Sequence, residues 1–252
     1  MWRRRHYGLL GVFCACLVSL LCSVLAAQER CDAEVKLLLS PEGTEAAVRA
    51  LNARGEALSR IYFFDTNQLD LLSQGVILRL RQGAVNDLTV KVRPTNGRTF
   101  PDPSAGRERY KCEVDLTGKG EVRSYSIQTA YSSQRLPTSG NDLVALLSPG
   151  QKQLLEQAHA AIDWTQVSRI GDIHSTTWQI KGQPNFGKLV LELWKWPTGN
   201  ILELSSKVGA YAGPSALAEL QRLANNKSLS SDKQQGPKTA MVLEEIVRPN
   251  GR

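Results

Sequence analysis

The sequence runs to 252 residues, 42% hydrophobic, 22% charged and 6% aromatic, which is the balance of an ordinary globular chain and excludes a disordered or fibrous one. Its 31 Lys and Arg against 24 Asp and Glu give a formal charge of +7, and a chain this long buries an adequate core without a metal or disulfide to help it fold. There is no GxxxxGK(S/T) loop, GxSxG elbow, CxxC pair or HExxH helix, and three histidines are too few for a histidine-rich metal site, so any chemistry falls to carboxylates, lysines and arginines.

In chain order, Arg3, Arg4 and Arg5 precede an apolar run from Tyr7 to Leu25, and Val24-Leu25-Ala26 offers small residues at cleavage spacing. Residues 1–27 therefore read as a secretory signal peptide, with an uncleaved membrane anchor as the alternative because the run approaches the roughly 20 residues that span a bilayer. Cleavage removes three arginines and leaves +4, which is mildly basic and no nucleic-acid footprint. The mature protein is then secreted or periplasmic and free of the membrane. Cys14, Cys16 and Cys22 leave with the leader, and Cys31 and Cys112 remain either as one disulfide or as two separate buried thiols.

Cys31 to Leu39 alternates like a strand, and Ser40-Pro41 opens a short helix carrying Ala46, Ala47, Ala50 and Leu51. Strand-length runs follow at 61–65, 76–82, 88–93 and 110–116, separated by turn residues such as Gln74-Gly75 and Asn86-Asp87. Residues 95–108 read as a long loop, and 117–139 is polar without a clear period. Ser148-Pro149-Gly150-Gln151 is a capping box that opens a helix over 149–160. Strands are predicted at 168–180, 188–196 and 201–208, then a helix over 214–224, a flexible polar extension from 225, and a last apolar stretch at 241–247.

In these strands charged residues occupy every second position with apolar residues between them, so one face is ionic and the other greasy. Asp32, Glu34 and Lys36 share a face, as do Arg79 and Arg81, Lys91 and Arg93, Lys111, Glu113 and Asp115, and Glu203, Ser205 and Lys207. A single such strand reads simply as one side of a solvated sheet. Five of them are informative because Arg79, Arg81, Lys91 and Arg93 collect on the central hairpin while the carboxylates recur on the other three strands. Carboxylates two apart can share a hard cation, and clustered Arg and Lys can hold phosphate oxygens, which together suit a metal-bound polyphosphate.

Asp32-Ala33-Glu34-Val35-Lys36 resembles the ExExK signature of the CYTH, or triphosphate tunnel, superfamily, which includes class IV adenylate cyclases, thiamine triphosphatases and inorganic triphosphatases. The order and spacing of Tyr62-Phe63-Phe64-Asp65-Thr66, Gly75 to Arg81, Leu88 to Lys91, Glu113-Val114-Asp115 and Gly199 to Glu203 are similar to the same family. The resemblance implies an α+β fold: a closed antiparallel eight-stranded β-barrel with a charged tunnel inside and helices packed outside. The tunnel domain spans 28–224 with an insertion around 117–165, and 225–252 is a flexible extension. By position, Lys36, Arg79, Arg81, Lys91, Arg93 and Arg169 grip phosphate oxygens. Asp32, Glu34, Glu113, Asp115 and Glu203 hold Mg²⁺ or Mn²⁺, with Glu34 and Glu113 as the catalytic pair.

The sequence departs from the family pattern at Asp32, at Asp115 and at Ser205, which stands where a last carboxylate is usual; Glu192 is the candidate for the acid expected on the penultimate strand. The resemblance implies metal-dependent hydrolysis of inorganic tripolyphosphate or a related triphosphate. The alternative is a non-catalytic periplasmic protein that binds polyphosphate or another phosphorylated anion. Two further expectations follow. Cys31 and Cys112 each precede the first inward acid of a strand, so adjacent strands bring the sulfurs together outside the barrel. Replacing Arg79 or Arg81 by Ala is expected to weaken the anion site without harming the fold.

Overall fold

Alternating strands close here into a single sheet. In a computed structural model, which describes residues 31–94, 97–133, 135–183, 185–209 and 212–248, nine strands form a closed mixed barrel; the leader read at 1–27 lies outside the described residues. The strands are β1 (Asp32–Leu39), β2 (Arg54–Asp65), β3 (Val76–Gly83), β4 (Asp87–Val92), β5 (Arg109–Thr117), β6 (Gly120–Ala130), β7 (Ser168–Ile180), β8 (Leu189–Trp196) and β9 (Gly199–Val208). Around the barrel the order is β1-β5-β6-β4-β3-β2-β7-β8-β9, and β9 pairs back onto β1.

The expectation of eight antiparallel strands is corrected on both counts. An odd number of strands cannot alternate direction all the way round, so one neighbouring pair must run parallel. That pair is β1 and β5, in register from Asp32 opposite Glu113 to Val35 opposite Leu116. The extra strand, β6, comes from within 117–165, the stretch read as an insertion; it pairs with β5 and β4 along its whole length. The Cys31–Cys112 disulfide crosses the parallel seam, with a Cα–Cα distance of 4.6 Å and a chain separation of 81 residues. It ties the shortest pairing in the ring.

Outward-facing alternates build two cores. Val76, Leu78 and Leu80 of β3, Leu88, Val90 and Val92 of β4, and Tyr125 and Ile127 of β6 pack with Leu143 of α3 (Gly140–Val144) and with Leu154 and Leu155 of α4 (Pro149–Gln157). The predicted capping box forms: Ser148 Oγ accepts from the Gln151 amide at 3.1 Å, and the Ser148 amide donates to Gln151 Oε1 at 3.0 Å. On the other side, Val35, Leu37, Leu202 and Leu204 lie under α1 (Thr44–Ala50) and α5 (Gly213–Asn226), whose Leu220 and Ala224 are fully buried. Each buried valine, leucine or isoleucine of these cores stabilises the fold by roughly 1.5–3 kcal/mol relative to exposure. Between β2 and β3, both Asp65 carboxylate oxygens accept backbone N–H groups, from Thr66 and Leu71 on one and Leu72 on the other, fixing the short α2 (Asp70–Ser73). Gly75 follows with φ +77, and a Cβ there would lie 2.2 Å from the Arg93 carbonyl, so only glycine lets β3 start beside the end of β4.

The chain after α5 differs from its reading as a flexible extension. The free edge of β1 beyond Val35 exchanges hydrogen bonds with it: Ser40 N–H donates to Ser230 O at 2.8 Å, Asp232 N–H donates to Leu38 O at 2.9 Å, and the Gln235 side-chain amide accepts from Leu38 N–H at 3.0 Å and donates to Leu38 O at 2.8 Å. This strap delivers α6 (Lys238–Val247) to one end of the barrel. There Val242 and Leu243 pack against Leu38, Phe63, Ile77, Trp194 and Ile201 in a third apolar cluster. Among the described residues no helix is long and apolar enough to cross a membrane.

Candidate functional site

Because Leu38, Phe63, Ile77, Trp194 and Ile201 sit at inward positions of their strands, the cluster they form with α6 is a plug, and the barrel interior is a pocket closed at one end. Above the plug lies a cavity of about 310 Å³. Nine basic side chains line it against four acidic ones, and counting Asp87 and Asp115 among the acids still leaves the basic groups in excess. Such a lumen is costly in a low dielectric unless its charges are paired or find a ligand.

The basic groups differ sharply in how they are paired. Arg81 is held by Asp87: its Nε lies 3.1 Å from each carboxylate oxygen and its Nη2 makes a further ion pair. Thr89 and Gln128 also donate to Asp87, which is 2% exposed. Among the described residues Arg79, two residues earlier on the same face, reaches only Thr89 Oγ1 at 3.5 Å, and its buried Nε has no partner. Burial first, then the neighbouring Arg81 charge, bring the Arg79 pKa down to about 10. Arg93 likewise has an orphaned Nε and approaches Asp115 only at 3.8 Å. Lys91 lies 3.4 Å from Asp115 and 3.9 Å from Glu113, and burial pulls its pKa down. Lys36 is better satisfied, 2.9 Å from Asp115 and 3.3 Å from Glu34; burial opposes its charge, but Asp115 and then Glu34 prevail and raise its pKa.

The acids are paired in turn. Burial works against the Asp115 charge, yet Lys36 and Lys91 hold its pKa well below the usual carboxylate range. Glu113 meets Lys207 Nζ at 2.5 Å, and Glu34 meets Lys36. Ser205 faces the lumen at a position in register with Lys36. Glu192 and Glu203 both engage Lys238, at 2.5 and 2.9 Å.

Of the residues selected from sequence, Glu34, Lys36, Arg79, Arg81, Lys91, Arg93, Glu113, Asp115 and Glu203 are brought together in or directly behind the lumen wall. Two are not. Asp32 is exposed at the rim, where it borders a separate surface groove with Lys207. Arg169 is on the outer wall, stacked over the Tyr62 ring at 5.4 Å. The cause is a register shift in the β2–β7 pairing around Gly171, which buries Ile170 and Ile173 and turns Arg169 outward. Sequence reasoning missed Asp87, the small polar wall of β6 at Ser126 and Gln128, and Lys238. For the first two, alternation with Leu88 and with Tyr125 and Ile127 is the available signal; a lone lysine in a polar stretch gives none.

The expected Mg²⁺ or Mn²⁺ requires oxygen donors that converge. Among the described residues no group of three or more His, Cys, Asp or Glu does so, and each lumen acid is already engaged by a lysine or, for Asp87, by Arg81, so these side chains as arranged do not fit a resident divalent ion.

The closed barrel with a basic lumen has the fold of the triphosphate tunnel, or CYTH, class. Two solved structures carry the comparison: a candidate adenylyl cyclase from Hippeastrum described as having a dominant triphosphatase activity, at 19% identity, TM-score 0.58, and 82% and 93% coverage of this chain and that one; and a candidate adenylate cyclase from Bacillus halodurans, at 18% identity, TM-score 0.56, and 84% and 97% coverage. The likeness is one of fold. No protein-family model matches the sequence, nor does any curated protein.

Proposed function

We propose that this barrel binds the triphosphate group of inorganic tripolyphosphate or a related polyanion in its closed-end lumen, in the secreted or periplasmic protein left by leader cleavage. The observation behind this reading is the buried cation surplus, above all the Arg79 and Arg93 guanidinium groups, whose Nε atoms have no partner among the described residues. A buried donor left unsatisfied costs about 1–3 kcal/mol, more when charged, and a chain of phosphate oxygens supplies the missing acceptors. The pocket volume lies at the small end of the range for small-molecule sites, about 300–1,000 Å³.

Hydrolysis of the bound triphosphate is the second reading, favoured by the triphosphatase activity described for the structurally similar Hippeastrum protein. In it Glu34 and Glu113, at inward positions of β1 and β5, orient water at the phosphate chain. A calorimetric titration with tripolyphosphate, run beside a phosphate-release assay with and without Mg²⁺, separates the two. Binding without release supports the receptor, release supports the enzyme, and absence of both contradicts the proposal.

A further inference from the structure

Glu192 and Glu203 stand opposite each other on β8 and β9, and their carboxylates converge on one point of the lumen. Lys238 Nζ occupies that point, 2.5 Å from Glu192 Oε2 and 2.9 Å from Glu203 Oε1, while Ser175 Oγ donates to the other Glu192 oxygen at 2.7 Å. The Trp194 ring lies beneath the ammonium, 4.2 Å away. Lys238 is 7% exposed, and the Gln235 bonds to Leu38 hold the chain three residues upstream.

Two facing carboxylates in a polyanion pocket are the protein share of a divalent-cation site, since Mg²⁺ takes one or two and completes its shell with water and phosphate oxygens. The surroundings here suit an ammonium instead. Mg²⁺ needs oxygens at about 2.0–2.1 Å, closer than either contact, and an aromatic face stabilises a cation electrostatically while offering no lone pair to coordinate. We propose that Lys238 is a tethered cation standing in the place of a divalent ion, so that the pocket neutralises Glu192 and Glu203 without metal and excludes metal from that pair. A free ion can dissociate; this one is anchored by the strap and by α6.

The metal alone tests the proposal, independently of whether tripolyphosphate is the ligand. Mn²⁺ is titrated into wild-type protein and into Lys238→Met, which keeps the stem and removes the charge, with free Mn²⁺ read by electron paramagnetic resonance. The expected result is no bound Mn²⁺ on the wild type and one equivalent on the variant, with Mn²⁺ raising the variant's Tm; adding Glu192→Gln and Glu203→Gln abolishes both effects. Should Lys238→Met fail to fold in metal-free buffer, recovery on refolding with Mn²⁺ is expected, and no recovery overturns the proposal. One equivalent bound by wild type, or none by a folded Lys238→Met, overturns it too. Tripolyphosphate affinity retained by wild type in excess EDTA is also expected, and affinity that depends on Mn²⁺ contradicts the proposal. Absence of tripolyphosphate binding under both conditions counts against the proposed function alone, and the Mn²⁺ titrations decide the role of Lys238.

Discussion

Arg79 and Arg81 are two residues apart on one strand and face the same lumen, yet their loss should have opposite consequences. Arg79→Met removes a buried cation with an orphaned Nε and a like-charged neighbour, while the methionine stem keeps the packing. A fall in its pKa from the ordinary arginine range to about 10 puts the cost of holding this charge in the fold on the order of 3 kcal/mol. The variant should therefore be at least as stable as wild type in urea. Its tripolyphosphate affinity should drop by the value of one charged hydrogen bond, about 1.5–3 kcal/mol, or roughly 10- to 150-fold in Kd. Arg81→Met instead strands Asp87, which is 2% exposed, and should cost about 3 kcal/mol of stability, the lower end for breaking a buried pair because the arginine itself is partly exposed. The expectation that both substitutions spare the fold is thus revised for Arg81. Calorimetry and urea unfolding on the two variants give the answer. Unchanged affinity in a stable Arg79→Met, or equal stability loss in both, refutes the reasoning.

Reducing the Cys31–Cys112 disulfide, or replacing both cysteines by Ser, should lower stability by about 4.5 kcal/mol on the chain-entropy model for this separation, and free thiols titrating in the unreduced protein would contradict the pairing. Burial acts to raise the Glu192 pKa, but Lys238 brings it down to about 2, so the stability it contributes is present above its ordinary value of 4.5 and is lost as pH falls from there toward 2; acid unfolding of Glu192→Gln should show a shallower slope over that window. Arg169→Ala should leave tripolyphosphate affinity unchanged and cost no more than about 1 kcal/mol through the lost contact with Tyr62, whereas a large drop in affinity would place the anion on the outer wall.

What was readable in the sequence was the two-residue period. β1, β3, β4, β5 and β9 each present charge inward and aliphatic groups outward, so their faces and most of the lumen follow from alternation. Elsewhere that signal is missing or misleading. The first half of β2, Arg54–Arg60, is largely exposed and pairs chiefly with β7, so it lacks an apolar stripe, and only 61–65 reads as strand. β6 alternates small polar residues with Tyr125 and Ile127 inside a polar stretch, which hides it. Arg169 obeys its local alternation but sits beyond a register shift that no period encodes. The closed end of the lumen depends on α6, whose Val242 and Leu243 look like any apolar pair until the strap on β1 brings them to the barrel. The disulfide was legible because both cysteines hold the same phase relative to the acids that follow them.

The most direct test of the central claim is the electron density of crystals grown with tripolyphosphate. Three linked phosphate tetrahedra inside the barrel, with oxygens on Arg79 and Arg93 and the anion absent from the outer wall, are what the buried cation surplus predicts. A lumen without anion density at saturating tripolyphosphate, or an anion bound only at the surface, would contradict it.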